Sequence, residues 1–188
     1  MKFNLNRTLL YLLAWLAAAA LALMFAAASP NEASVMGQLP YHMSQTLMRR
    51  PLALPGELPS ERTLALVTFQ RAHRAQADSW IEGLNLKNDA SINWLRLPVI
   101  NDPGTATGRQ AAEGRLLQNY PADTERAGVV PVFTNRSDFV RSLGLNGVAQ
   151  SYAIVVNRQG DVLARVEGQF DADKAEILRA TLQGGAKR

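Results

Sequence analysis

The chain has 188 residues, a formal net charge of +4 and no cysteine. Without cysteine it cannot form a disulfide, a thiolate metal site or a nucleophilic thiolate, which excludes thiol–disulfide exchange and thiol-dependent peroxide reduction. The basic residues are dispersed and form no stripe interleaved with aromatic residues, so we expect no nucleic-acid partner.

The first predicted element is the uncharged apolar stretch over residues 8–28. It has about the 20 residues that a helix needs to cross the bilayer core, and Lys2 and Arg7 precede it. Because basic residues stay on the cytoplasmic side, we expect a single pass through the cytoplasmic membrane, with the C-terminal domain in the periplasm. Three alanines before Ser29 also fit a signal cleavage site, which would release the domain into the periplasm. The length of the stretch favours a retained anchor.

The next segment, residues 29–61, is rich in Pro and Gly and has only short apolar groups. Prolines at this spacing prevent a long helix, so we predict a tether or an extended lead-in. The predicted organisation is therefore a signal peptide or membrane anchor over residues 1–28, this tether, and one domain over residues 62–185.

The domain begins with an apolar run at residues 64–69, which predicts a strand that is buried on both faces. Apolar residues at helical spacing follow, and they predict an amphipathic helix with Trp80 in the core: Ala77, Trp80, Ile81 and Leu84. A second strand is predicted over residues 92–100, and a helical stretch over residues 111–120 is ended by Pro121.

After a short apolar run at residues 129–133, a helix is predicted to begin near Ser137 and to end at Gly144. Two apolar segments on either side of a polar turn at residues 157–160 then predict an antiparallel hairpin.

The last predicted element is a helix with Asp171 as its N-cap and with Ala175, Leu178 and Leu182 on its buried face. Gly184 is predicted to end it.

This order of strand, helix, strand, two helices, hairpin and helix resembles the thioredoxin-like fold over residues 62–183, most specifically over residues 139–168. The resemblance implies an α/β fold class: a thioredoxin-like central mixed β-sheet flanked by helices, preceded here by one N-terminal transmembrane or signal helix.

Three short segments resemble the mitochondrial ATP-synthase assembly-factor family and its bacterial relatives. They are Leu64-Ala65-Leu66-Val67, Ala77-Asp78-Ser79-Trp80 and Leu143-Gly144-Leu145. This resemblance implies a module that assists the assembly of a membrane complex and has a membrane-associated protein partner.

The chain departs from redox thioredoxins at two positions. Arg74-Ala75-Gln76-Ala77 stands where the resemblance would place Cys-x-x-Cys, and Gln150 or Ser151 stands where redox members carry a cis-proline. A cis peptide before a residue other than proline costs roughly 2.5–4 kcal/mol, so we expect a trans peptide there. Both departures favour a binding role over redox catalysis.

The candidate binding residues are the basic entry to the first helix and the segment that the fold places beside it: Gln70, Arg71, His73, Arg74, Gln150 and Ser151. A basic loop that enters a helix can bind an anion or an acidic partner. The same residues can also form an ordinary solvated loop.

The sequence contains no pattern typical of a catalytic or metal site. His42 and His73 have no ligand spacing, so we expect no metal and no cofactor. No Gly-x-Ser-x-Gly motif is present, and we predict a non-enzyme. A small-ligand-binding periplasmic domain and a non-thiol enzyme are the alternatives.

Overall fold

The structure is a computed structural model that describes residues 35–184. The predicted membrane or signal helix at residues 8–28 and the first residues of the predicted tether lie outside this part of the chain. Among residues 35–184, no helix has the length and apolarity needed to cross a bilayer.

The described residues form seven strands and five helices, and from residue 62 onwards they contain the predicted elements in the predicted order, with an additional short helix at Asp123–Arg126 and an additional strand at Val132–Thr134. In chain order they are β1 (His42–Gln45), β2 (Pro51–Leu54), β3 (Arg62–Thr68), α1 (His73–Gly83), β4 (Trp94–Asn101), α2 (Ala106–Asn119), α3 (Asp123–Arg126), β5 (Val132–Thr134), α4 (Arg136–Ser142), β6 (Tyr152–Asn157), β7 (Val162–Glu167) and α5 (Ala172–Gln183).

Five strands form one mixed sheet in the order β5-β4-β3-β6-β7. The strands β3, β4 and β5 are parallel, and β6 and β7 are antiparallel to their neighbours. In the β3–β4 register the last residue of β3, Thr68, lies opposite Pro98, and β4 continues beyond it to Asn101. The parallel pair leaves its carboxyl ends open to the loops that follow.

The alternating residues of β3 pack into two apolar layers, one on each face of the sheet. Leu64 and Leu66 lie in the layer that contains residues of α1 and α5, whereas Ala65 and Val67 face the layer that contains Phe139 of α4. This explains why β3 is apolar on both faces, as predicted. Trp80 is fully buried, as predicted, and its indole N–H donates to the carbonyl of Gly168 at 2.8 Å.

Residues 35–61 differ from the predicted tether. The strands β1 and β2 pair as an antiparallel hairpin, and Leu39, Leu54 and Leu58 are buried in the same layer as Phe139. The prolines do not prevent this arrangement, since Pro51 opens β2 and a hairpin requires no helix. From residue 35 on, the segment is therefore part of the folded domain and contributes these three leucines to its core.

The C-terminal half follows the sequence prediction closely. Gly144 ends α4 with φ +64°, β6 and β7 form the hairpin, and the Asp171 side chain accepts from the first backbone N–H groups of α5. The cis peptide of residues 35–184 is Leu54–Pro55, so the peptide bonds of Ser151 are trans, as predicted.

Candidate functional site

The helix entry, residues 70–74, follows β3 and leads into α1. His73 is the first residue of α1 and is buried, whereas the sequence predicted it as a binding residue in the loop before that helix. Its Nδ1 accepts from the backbone N–H of Phe69 at 3.3 Å, and its Nε2–H donates to the carbonyl of Ala149 at 3.1 Å. Burial lowers the pKa of His73, and the neutral Nε2–H tautomer satisfies both contacts.

The helix entry contacts the segment before β6, as the fold resemblance implied. The Gln70 amide donates to the carbonyl of Val148 at 3.4 Å, and the backbone N–H of Ser151 donates to the Gln76 side chain at 2.9 Å. Gln150 is exposed, but Ser151 is buried, so its side chain is closed to a ligand. Of the two predicted residues on this side, only Gln150 is exposed at the surface.

A cavity of about 400 Å³ opens on the other side of the helix entry, between the carboxyl ends of β3 and β4 and the helix α2. We call it the arginine pocket. Its apolar lining includes Phe69, Val99, Ile100 and Leu116, and its polar lining includes four arginines: Arg71, Arg74, Arg115 and Arg136. No carboxylate lines the pocket within the part of the chain that the structure describes.

The four arginines reach the pocket from three elements and the helix entry. Arg71 and Arg115 are exposed at its rim, whereas Arg74 and Arg136 are half-buried. Arg136 opens α4, and its Nε donates to the carbonyl of Val99 at 3.1 Å. Among residues 35–184 no carboxylate oxygen lies within 4 Å of Arg71, Arg115 or Arg136. The pocket therefore carries uncompensated positive charge.

The beginning of α1 adds to this charge. Its N-cap is Ala72, which provides no side-chain hydrogen bond, and its first turn contains no acidic residue. The positive end of the helix dipole is therefore uncompensated beside the pocket and favours an anion there.

Tyr120 and Arg74 line the pocket, and the Tyr120 ring has a second guanidinium group near it, that of Arg96, which is not part of the lining. Arg74 lies 4.6 Å and the buried Arg96 lies 5.2 Å from the centre of that ring. Asp78 pairs with both, at 2.6 Å from Arg96 and 3.4 Å from Arg74. Arg74 also lies 3.8 Å from Glu125, so it is the one arginine of the pocket that has carboxylate partners among the described residues.

His42 lies in β1, and burial together with Arg109 lowers its pKa. Arg109 also pairs with Asp102 and lowers the pKa of that carboxyl to about 2. Among residues 35–184 no group of three His, Asp or Glu side chains is arranged to hold a metal ion. His42 and His73 therefore form no common site.

Sequence reasoning found Arg71 and Arg74 but missed Arg115 and Arg136. Arg115 lies in α2 and Arg136 lies at the start of α4, so only the tertiary fold brings them to the helix entry. A single sequence contains no local pattern that joins these positions.

Comparisons with known proteins agree with the architecture. No protein-family model matches the chain, and no curated protein matches it significantly. Its structure is similar to that of BsSco, a member of the Sco family of cytochrome c oxidase assembly proteins, at 15% identity and TM-score 0.54, over 81% of this chain and 95% of that one. A putative electron transport protein from Aquifex aeolicus VF5 is similar at 12% identity and TM-score 0.55, over 82% of this chain and 100% of that one. At such identities the likeness concerns the fold alone, and the chain has a thioredoxin-like fold.

Proposed function

We propose that this protein is a redox-inactive thioredoxin-like module that binds a protein component of a membrane complex and assists the assembly of that complex. Its binding surface is the helix entry together with the adjoining arginine pocket. We further propose that residues 8–28 hold it at the cytoplasmic membrane, with the domain in the periplasm.

One observation carries the proposal: the place where a redox thioredoxin needs its thiols is basic and concave here. A helix start favours a thiolate because its free N–H groups and dipole stabilise negative charge. Here Arg74-Ala75-Gln76-Ala77 occupies that start, and the chain has no cysteine to use it. The same electrostatics is available to an anionic group of a partner.

The proposed assembly role is based on two resemblances, one in structure and one in sequence. The Sco family, to which BsSco belongs, comprises cytochrome c oxidase assembly proteins. Three short segments of the sequence resemble the ATP-synthase assembly-factor family, and that resemblance implies a role in building a membrane complex.

The test is crosslinking in the producing cells, followed by capture of the full-length protein. We compare the native chain with Arg71→Glu/Arg74→Glu and with the matched control Arg50→Glu/Arg179→Glu, which makes the same change in net charge at exposed positions outside the pocket lining. We expect a membrane-protein partner with the native chain and the control, and its loss with the first variant. Recovery of the same partner from all three proteins would refute the proposed surface.

A second candidate, a small-ligand-binding domain, is favoured by one observation. The arginine pocket has a volume of about 400 Å³, and small-molecule sites measure roughly 300–1,000 Å³. This candidate predicts a low-molecular-weight acid in the pocket and no effect of the charge reversal on protein partners.

A further inference from the structure

We propose that the arginine pocket binds an acidic segment of the partner protein, inserting one apolar side chain of that segment between β3, β4 and α2 while the flanking carboxylates pair with the arginines. This proposal rests on the proposed function and names the chemistry that the partner must present.

The lining of the pocket defines the occupant. The strand ends and α2 contribute an apolar floor that includes Phe69, Val99, Ile100 and Leu116. Around that floor stand four guanidinium groups without an acidic residue among the lining residues that the structure describes. An anion without an apolar part would leave the floor in contact with water, and an apolar group without a charge would leave Arg71, Arg115 and Arg136 without a carboxylate partner.

The depth of the arginines favours a chain segment over a free small acid. Arg71 and Arg115 are exposed at the rim, and Arg74 and Arg136 are half-buried in the walls. Carboxylates that pair with these arginines must therefore reach more than one depth of the pocket. A peptide that crosses the pocket presents several acidic side chains around one apolar side chain, whereas a small monocarboxylate or dicarboxylate has only one or two charges.

Two of the arginines are fixed before any ligand arrives. Arg136 is held through Nε by the Val99 carbonyl at 3.1 Å, which leaves its terminal nitrogens to bind a carboxylate. Arg74 is held on the Tyr120 ring at 4.6 Å by Asp78 and Glu125. Such preorganisation reduces the entropy lost on binding.

The experiment is fluorescence anisotropy with the purified full-length protein and dye-labelled pentapeptides. The first probe is Glu-Glu-Leu-Glu-Glu. Its matched controls are Gln-Gln-Leu-Gln-Gln, which removes the charges, and Glu-Glu-Ser-Glu-Glu, which removes the apolar side chain. We expect saturable binding of the first probe, a loss of at least about tenfold with the serine probe, and no saturable binding of the glutamine probe. Binding of the first probe weakens as salt is added, because the rim contacts are exposed.

The variants separate the pocket from the rest of the surface. Arg115→Gln/Arg136→Gln is expected to raise the Kd of the first probe at least about tenfold. Arg179→Gln, an exposed helical arginine outside the pocket, is expected to change it less than about twofold. Because Arg136 donates a hydrogen bond to the Val99 carbonyl, its replacement can also destabilise the fold. Arg115→Gln alone therefore serves as a second variant, and the urea midpoint of each protein shows whether it is folded.

Several results would overturn the proposal. One is an unchanged Kd of the first probe for Arg115→Gln when that variant is folded. Another is binding of the serine probe with the same Kd as the first probe. If octanoate binds in an arginine-dependent way and the peptides do not, the occupant is a small acid and the segment proposal is wrong. If Arg71→Glu/Arg74→Glu abolishes capture of the partner in cells but Arg115→Gln/Arg136→Gln affects neither capture nor peptide affinity, the pocket proposal fails while the proposed function stands.

Discussion

Removing the Asp78 carboxylate should destabilise the domain, because it leaves the charge of Arg96 buried without a partner. The side chain of Arg96 is 4% exposed, and Asp78 lies 2.6 Å from it with 35% of its own side chain exposed. Breaking a fully buried ion pair by deleting one partner costs about 3–5 kcal/mol. Water reaches the Asp78 side of this pair, so we discount that figure and expect Asp78→Ala to lower the free energy of unfolding by about 2 kcal/mol.

The measurement is urea unfolding of the purified full-length chain in a non-ionic detergent, followed by tryptophan fluorescence. The expected loss corresponds to a fall in Tm of about 4–8 °C for a domain of this size. Glu176→Ala is the matched control, since this carboxylate is exposed on α5 and forms no ion pair within residues 35–184. It should change stability by less than about 0.5 kcal/mol.

A double variant identifies the cause of the loss. Asp78→Ala/Arg96→Met removes both charges and keeps an apolar side chain against Tyr120, so it should recover to within about 1 kcal/mol of the parent. The reasoning is refuted if Asp78→Ala is no less stable than Glu176→Ala, or if the double variant is less stable than Asp78→Ala. Either result would mean that Arg96 does not depend on Asp78 for charge compensation.

Three further predictions concern the core and the helix entry. Leu54→Ala should lower the free energy of unfolding, measured in urea, by about 2–4 kcal/mol, because Leu54 is fully buried. The same substitution in an unpacked tether would leave that free energy unchanged. Trp80→Phe should cost about 1–2 kcal/mol, since it removes the indole N–H that donates to the Gly168 carbonyl at 2.8 Å and leaves that carbonyl only the longer contact from the Ser151 hydroxyl at 3.4 Å; an unchanged urea midpoint would contradict this reasoning. Because burial lowers the pKa of His73, the unfolded chain binds more protons in acid, so stability should fall as the pH drops below about 6.5. Urea midpoints at pH 7.5 and pH 5.0 should differ less in His73→Gln than in the parent, and an equal difference would exclude His73 as a source.

The sequence predicted the elements whose signals are local. The run at residues 64–69 is apolar on both faces because β3 is the central strand of the sheet and an apolar layer covers each of its two faces. Asp171 caps α5 through its own side chain, and Gly144 ends α4 through its own left-handed backbone conformation. Both signals lie within one helical turn. These features need no knowledge of distant residues.

The predicted tether failed for the opposite reason. Leu39, Leu54 and Leu58 do not belong to a sustained helical or alternating pattern, and they are buried against residues far along the chain. The arginine pocket is non-local in the same way, because Arg115 and Arg136 come from different helices. Half of its arginines were therefore beyond sequence reasoning.

Site-specific photocrosslinking tests the central claim most directly. A benzophenone side chain at Gln70, which is exposed and lines the arginine pocket, is compared in cells with the same group at the exposed Arg179 on α5. The account predicts one discrete protein adduct from position 70 and none from position 179. An adduct from position 179 alone, equal adducts from both positions, or none from position 70 would contradict a partner bound at the helix entry.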